Sequence, residues 1–304
     1  MPATAELQPA TGSENKMKHL WNFLVHHPLL KGRPLYAFTR FTYWQLRSCI
    51  FSKPRACPWV GGSRFWLRRG WSGLTGNYYA GLNDFEEMAF LLHFLRRGEL
   101  FVDVGANMGS YTILAGAVSH CRVVSYEPVQ ATYQSLVANV RLNQLEANVV
   151  IRNAAVGATT GFLRMTSSLD ATNHVTQCID EGEKVLAVTL DDDLAETPIL
   201  IKIDVEGYEL EVLRSASRHL ADPKLQAIII ELNGAGRRYG HQDATIHSLL
   251  EAAGFSSYTY EPMNRTLRDA SGRRRDNVLY CRDIASIESR LQAAPAFEAA
   301  GRSI

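Results

Sequence analysis

Acidic side chains are nearly missing from the first quarter of this chain. Residues 1–80 hold only Glu6 and Glu14 against eleven lysines and arginines, a balance of +9, although the 304 residues together sum to +1. The remainder therefore carries −8, and the two parts are expected to do different jobs. Cysteine is sparse and odd in number: Cys49, Cys57, Cys121, Cys178 and Cys281 show no C-x-x-C spacing, which excludes a zinc ribbon and a closed disulfide framework and suits a reducing compartment. Long apolar runs are missing too. The longest, such as Ile113 to Val118, fall far short of the ~20 residues a membrane-spanning helix needs, and the polar start MPATAELQPATGSENK does not read as a signal peptide. The expectation is a soluble or peripheral protein in the cytoplasm, at most touching the inner membrane face. What is present, 46% apolar and 21% charged residues, excludes disordered and fibrous classes and leaves ample chain for a core.

The basic quarter also contains all five tryptophans and 14 of the 29 aromatic residues. Residues 1–16, without apolar periodicity, read as a disordered N-terminus. Residues 17–77 read as a basic aromatic extension: a helix over Met17 to Val25, a break at His26-His27-Pro28, a helix over Pro34 to Phe51, and a hairpin strand from Arg64 to Gly70. In the second helix Leu35, Phe38, Thr39, Thr42, Leu46 and Cys49 form one stripe, the face expected to pack inward, with Arg40 and Arg47 on its flank. Gly70 to Gly81 reads as a turn-rich link, and a helix follows from Asp84 to Arg97.

From residue 78 to 285 strands and helices alternate. Strands are read at Leu100 to Val104, Arg122 to Tyr126, Asn148 to Asn153, Ile199 to Asp204, Ala227 to Leu232, Ser256 to Tyr260 and Val278 to Cys281, with helices near Val129 to Val140 and Ile246 to Ala253. Such alternation predicts an α/β fold with a parallel, Rossmann-like sheet covered by helices on both faces. Gly161 to Thr189 interrupts the rhythm as an inserted hairpin or loop, Arg268 to Asp276 reads as a solvated turn, and residues 286–304 as a C-terminal helix and tail.

The first strand runs into Asp103-Val104-Gly105-Ala106-Asn107-Met108-Gly109-Ser110-Tyr111. A glycine turn between a strand and a helix N-terminus is where doubly wound folds bind nucleotides. A dinucleotide enzyme would place a second glycine where Asn107 stands, and Asp103 would sit awkwardly beside a diphosphate. A ligand with a cationic end and a ribose suits these residues better, and S-adenosylmethionine is one. Glu127 closes the second strand where a carboxylate can accept both ribose hydroxyls; Asn153, at the end of the third, is placed for the adenine edge, with Ala154 beneath the ring. A second cluster, Lys202-Ile203-Asp204-Val205-Glu206-Gly207, ends a central strand. Lys202 there should meet a carboxylate, with Asp204, Glu206 and Glu231 as the choices.

Phe101 to Thr112, Tyr126-Glu127-Pro128, Lys202 to Glu209 and Asp276 to Tyr280 together resemble the FkbM family of S-adenosylmethionine-dependent methyltransferases over roughly residues 78–283. The resemblance implies a seven-stranded class I methyltransferase sheet with its last strand inserted antiparallel, and O-methylation of a hydroxyl on a sugar, glycolipid, polysaccharide or other natural product. The candidate cofactor contacts are then Asp103, Gly105, Ala106, Asn107, Gly109, Ser110, Tyr111, Glu127, Pro128, Asn153 and Ala154, with Asp204 facing the methyl-transfer region.

An aliphatic hydroxyl must lose a proton as it attacks, so a carboxylate or imidazole within reach would help. Asp204 leads the candidates, followed by His174 in the inserted segment, then Glu206 and Glu231, with Lys202 as partner. A divalent metal held by Asp204, Glu206 and Glu231 is possible, because some O-methyltransferases of this fold clamp the acceptor oxygens with one, but no ligand spacing demands it. A dehydrogenase of similar fold, a degenerate binding module and a nucleic-acid methyltransferase are the competing readings. An intact turn opposes the second, and the lack of an Asp/Asn-Pro-Pro-Tyr/Phe motif opposes the third, so no nucleic-acid partner is expected. The basic aromatic extension is left for acceptor choice or for contact with an anionic or membrane surface.

Overall fold

The computed structural model describes residues 21–50, 53–68, 71–167, 169, 172–176, 182–270 and 276–304. The disordered N-terminus expected over residues 1–16, and Cys178, lie outside the described residues. Leu100–Val104 (β3) is buried along its whole length, as a strand covered on both faces should be. It pairs in parallel with Arg122–Tyr126 (β4) on one side and Leu200–Ile203 (β9) on the other. Val149–Arg152 (β5) extends one wing, and Ala227–Glu231 (β10) the other. Beyond β10 comes Asn277–Cys281 (β13), antiparallel to both β10 and Ser256–Glu261 (β11). The resulting order, β12-β11-β13-β10-β9-β3-β4-β5, is the expected seven-stranded α/β sheet with an inserted antiparallel last strand, plus one edge strand, Thr266–Asp269 (β12).

Helices cover both faces. Ser110–Ile113 (α4), which continues as a π-helical stretch over Leu114–Val118, and Gln130–Leu142 (α5) join Phe85–Phe94 (α3) and Ile284–Gln292 (α10) on one face. Leu190–Asp193 (α6), Glu209–Arg214 (α7), Ser217–Ala221 (α8) and Asp243–Ala252 (α9) pack on the other. The inserted segment forms a small sheet of Ala155–Val156 (β6), Gly161–Met165 (β7) and Glu183–Val188 (β8), set beside the C-terminal ends of the central strands. After α10 the chain ends in a short hairpin, Glu298–Ala299 (β14) with Arg302–Ser303 (β15).

The basic extension comprises a helical segment over residues 21–26, a helix Pro34–Ile50 (α1), a hairpin Arg55–Pro58 (β1) with Arg64–Leu67 (β2), and a helix Ser72–Ala80 (α2). It rests on the central sheet's helices through a core of Trp44, Phe65, Leu67, Tyr79, Met108 and Ile113. Helix α5 also takes up the free edge of β2: Asn139 Oδ1 accepts from the Trp66 N–H at 2.7 Å, and Asn143 Oδ1 from the Arg64 N–H at 2.7 Å.

Three expectations change. Gly70 to Gly81 is largely helix α2, because burial of Leu74, Tyr79 and Ala80 outweighs the poor helix propensity of its glycines. The boundary expected at residues 77/78 falls inside that helix. Arg268 and Asp269 belong to β12 rather than to a solvated turn, because β11 offers them a free edge. Finally, α1 is turned about its axis. Ala37, Trp44 and Ser48 face the core, whereas Leu35, Phe38 and Leu46 of the expected inward stripe are exposed, since the bulky Trp44 finds the deeper pocket.

Candidate active site

Three residues of the turn after β3 take left-handed backbone: Gly105 (φ 78°), Asn107 (φ 49°) and Gly109 (φ 93°). Asparagine is among the few residues with a side chain that accept this conformation readily, which explains how Asn107 stands where a second glycine would. The two glycines are required by the protein itself. A Cβ on Gly105 would lie 1.8 Å from the Asp204 carbonyl oxygen, and one on Gly109 would lie 2.5 Å from Leu136 Cδ1 of α5. Gly105 thus lets the ends of β3 and β9 approach, and Gly109 seats α4 against α5.

Glu127 joins the turns after β3 and β4. Its Oε2 accepts the Asn107 N–H at 3.0 Å and its Oε1 the Val129 N–H at 2.9 Å, leaving each oxygen a further lone pair. Burial pushes its pKa up to about 7 despite these donors. The carboxylate opens onto a cavity of about 650 Å3 lined by Gly105, Asn107, Glu127, Pro128, Ala154, Val156, Met165, Val175, Asp204, Glu206 and Tyr208 among others. Asn153 does not line it: its Nδ2 donates to the Glu127 and Pro128 carbonyls at 2.9 and 3.0 Å, bracing the loop from outside.

At the ends of β9 and β10 lie three acids, of which Asp204 and Glu206 line the cavity and Glu231 lies beside them outside the lining. Lys202 Nζ donates to Asp204 Oδ2 at 2.8 Å. Burial works against the ammonium, but the charges of Asp204, Asp103 and Asp84 outweigh it, and the pKa is raised. Carboxylate oxygens of Asp204, Glu206 and Glu231 lie within 4.8 Å of one another, close enough to share protons or to hold a divalent cation. Burial, together with the charge of Asp204, pushes Glu206 up to about 7 and Glu231 to about 9. Glu206 also holds left-handed backbone (φ 55°), and Gly207 follows at φ 106°, where a Cβ would meet Ala235 at 2.7 Å. Glu209 fixes this turn by accepting from the Val205 and Gly207 N–H groups at 3.3 and 2.9 Å.

Asp103 is buried beneath the site. Its Oδ2 accepts from Thr112 Oγ1 at 2.7 Å, while Oδ1 has no hydrogen-bond partner among the described residues. Tyr111 lies over Lys202, 5.0 Å from ring centroid to Nζ, and its hydroxyl donates to Asp84 Oδ2 at 3.1 Å. On the opposite side the 3₁₀ turn Ala235–Tyr239 meets the inserted sheet: Tyr239 Oη donates to the Val175 carbonyl at 2.6 Å and packs edge-on against Tyr208. His174 sits between two cavity-lining residues, Asn173 and Val175, but its Nδ1 bonds the Thr172 carbonyl at 3.0 Å and its ring is not part of the lining.

The cavity thus joins a buried carboxylate with spare lone pairs at the end of the second parallel strand, an apolar slot beside it and an acid cluster at the end of the fourth. Comparison with known proteins decides the family: the model for the methyltransferase FkbM domain matches residues 103–257, half of the chain. The chain belongs to the FkbM methyltransferase family. This FkbM protein is 25% identical over 148 residues to the hexuronic acid methyltransferase AglP of Haloferax volcanii, across 47% of this chain and 59% of that protein. It is 24% identical over 189 residues to methyltransferase 1 of Beauveria bassiana, across 53% of this chain and 74% of the relative. A solved FkbM methyltransferase from Methylobacillus flagellatus is similar at 19% identity and a TM-score of 0.43, covering 68% of this chain and 52% of that one.

The chain spans 59% of the length of the Haloferax relative; membership of the FkbM methyltransferase family, with the fold, implies S-adenosylmethionine as the group to test against the site. The residues fit that group. Glu127 keeps acceptors for ribose hydroxyls, Val129, Ala154, Val156 and Val175 offer an apolar slot for a base, and the orphaned Asp103 oxygen favours a cation nearby. In this FkbM domain the cavity gathers Gly105, Asn107, Glu127, Pro128, Ala154, Asp204 and Glu206 from the sequence candidates. Ala106, Gly109, Ser110, Tyr111, Asn153, Lys202 and His174 lie outside the lining and act on it, where they act, through neighbours. Asp84, Glu209 and Tyr239 went unread. Asp84 has the sequence position of a helix cap, yet its side chain caps nothing and turns to Tyr111 instead. For Tyr239 the sequence carries no signal, because its partner Val175 is distant along the chain.

Proposed function

We propose that the enzyme transfers the methyl group of S-adenosylmethionine to a hydroxyl oxygen of a sugar, with a uronic acid unit as the acceptor class to test first, and that Asp204 is the general base. The observation that carries this reading is the position of Asp204: it lines the cavity at the C-terminal end of β9, fixed by Lys202 at 2.8 Å. Bound S-adenosylmethionine supplies an already activated methyl on its sulfonium, so the protein's task is orientation and removal of one proton. Glu127 and the Asn107 turn hold the nucleoside, and Asp204 receives the proton of the hydroxyl as the new bond forms. Lys202 keeps the Asp204 carboxylate turned toward the cavity. The acidic-sugar acceptor draws on the Haloferax relative, a hexuronic acid methyltransferase, and on Arg237 and Arg238, exposed on the turn against Glu206.

Glu206 supports a second assignment of the base, because a carboxyl pKa raised to about 7 is matched to neutral proton transfer. Incubation with labelled S-adenosylmethionine and paired uronate-bearing and neutral oligosaccharides tests the acceptor. A methyl ether on the uronate supports it, and label on neither series overturns it. Asp204→Asn and Glu206→Gln separate the bases: the variant that loses turnover while still binding S-adenosylhomocysteine identifies the residue.

A further inference from the structure

Helix α1 presents its apolar side to solvent. Leu35, Phe38, Tyr43 and Leu46 stand 78, 51, 52 and 69% exposed on one face, and Trp21 extends the strip edge-on to Phe38 with ring centroids 6.1 Å apart. Single exposed leucines are ordinary on a protein surface; a contiguous strip with aromatic ends is not. One edge of the strip is basic. Arg47 lies over the Tyr43 ring, 5.2 Å from its centroid, and with Lys53 and Arg55 it borders a groove of about 1300 Å3 walled by Trp66 and Tyr78. Arg40, Arg47 and Arg55 all act on the Cys57 thiol in this groove, pulling it down, although burial dominates and pushes it up to about 11. Three cationic side chains, Arg47, Lys53 and Arg55, line this one groove. The sequence from residue 15 to 83 contains no Asp or Glu.

An apolar strip with a cationic border is the pattern of a helix that lies in a membrane interface, with aromatic rings at headgroup depth and arginines at the phosphates. Helix α1 cannot cross a membrane, since among the described residues no helix is long and apolar enough to do so. Pairing with a second copy through the same face is disfavoured, because a two-fold interface would set Arg47, Lys53 and Arg55 near their own copies without an acid between them. We infer that this face seats the enzyme on an anionic lipid bilayer, with Leu35, Phe38 and Leu46 at the acyl boundary and Arg47, Lys53 and Arg55 on headgroup phosphates. The inference holds whichever hydroxyl receives the methyl group.

Flotation of the full chain with vesicles of phosphatidylcholine alone, and of equimolar phosphatidylcholine and phosphatidylglycerol, tests it. Binding is expected only to the anionic vesicles, weakening as salt screens the phosphates. The combined variant Leu35→Ser, Phe38→Ser, Leu46→Ser should lower the partition coefficient by about 100-fold. Its affinity for S-adenosylhomocysteine and its melting temperature should stay at the unsubstituted values, because these side chains touch solvent. Lys53→Glu should weaken vesicle binding without changing either control. Failure of the unsubstituted protein to float with anionic vesicles overturns the inference, as does equal binding to neutral ones. A dimer that dissociates in the triple variant, with no vesicle binding, assigns the face to self-association and overturns it as well.

Discussion

Asp204 and Glu127 both line the cavity, and their proposed roles as base and ribose acceptor each carry a distinct expectation. Asp204→Asn keeps the shape and removes the proton acceptor, so turnover should fall by about 10² to 10⁴-fold while S-adenosylhomocysteine binds as before. Isothermal titration and initial rates on the same preparation check this, and undiminished turnover would falsify the base assignment. Glu127 is half protonated near pH 7 in the free enzyme, since burial pushes its pKa up to about 7. A ribose needs its acceptors, so cofactor affinity should rise as pH climbs through that value, with protons released on binding below it. Titration at slightly acid pH in buffers of different ionisation enthalpy measures the release, and Glu127→Gln should abolish both the proton release and most of the affinity. In the cluster of Asp204, Glu206 and Glu231, burial and the charge of Asp204 push the two glutamates up to about 7 and 9, so protons can offset the repulsion without a metal ion. Dialysis against a chelator should accordingly leave the rate unchanged.

Turns and helices set how these residues meet. Gly105→Ala forces a methyl toward the Asp204 carbonyl and should cost several kcal/mol, read as a large drop in melting temperature or as failure to fold. Asn139 on α5 accepts from the Trp66 N–H and donates to the Met108 carbonyl at 2.8 Å, so Asn139→Ala leaves two buried backbone groups unpaired and should cost about 3 kcal/mol. A loss below about 0.5 kcal/mol would show that water replaces both bonds. Elements with strong local patterns were legible from the residues alone, β3 as an apolar run, α5 by its period and β13 as a short apolar strand, whereas the antiparallel insertion of β13 came from the family resemblance. Helix α2 was not, because Gly73 and Gly76 lower its local propensity and only packing reverses that; a Cβ on Gly76 would lie 2.0 Å from Asn83 Oδ1. The stripe of α1 was legible and its direction was not, since a period shows which residues share a face and says nothing about what covers it. Within the site, Asp103, Glu127 and Asp204 follow from strand ends. The removal of Asp103, Asn153 and His174 from the cavity wall depends on side-chain partners that no spacing encodes.

The molecule as a whole stores unfavourable burial of carboxyl groups around its cavity. Glu127, Glu206 and Glu231 all have pKa values raised by folding, to about 7, 7 and 9. Groups of this kind bind more protons in the folded than in the unfolded chain, so their stabilising contribution is complete below about pH 4.5 and is lost as pH rises through 7 and then 9. The ligand-free enzyme should melt at a lower temperature at pH 9 than at pH 6, and the triple variant with glutamine at these positions should lose most of that slope. Differential scanning calorimetry across the range decides it. The catalytic sheet and the basic extension share one core around Met108 and Ile113, and Asn139 holds β2 with one end of its side chain and the glycine turn with the other. Through that amide and the shared core the two regions are in direct contact. Whatever factor cofactor occupancy applies to the affinity of the extension for its surface, surface occupancy must apply the same factor to the affinity for cofactor.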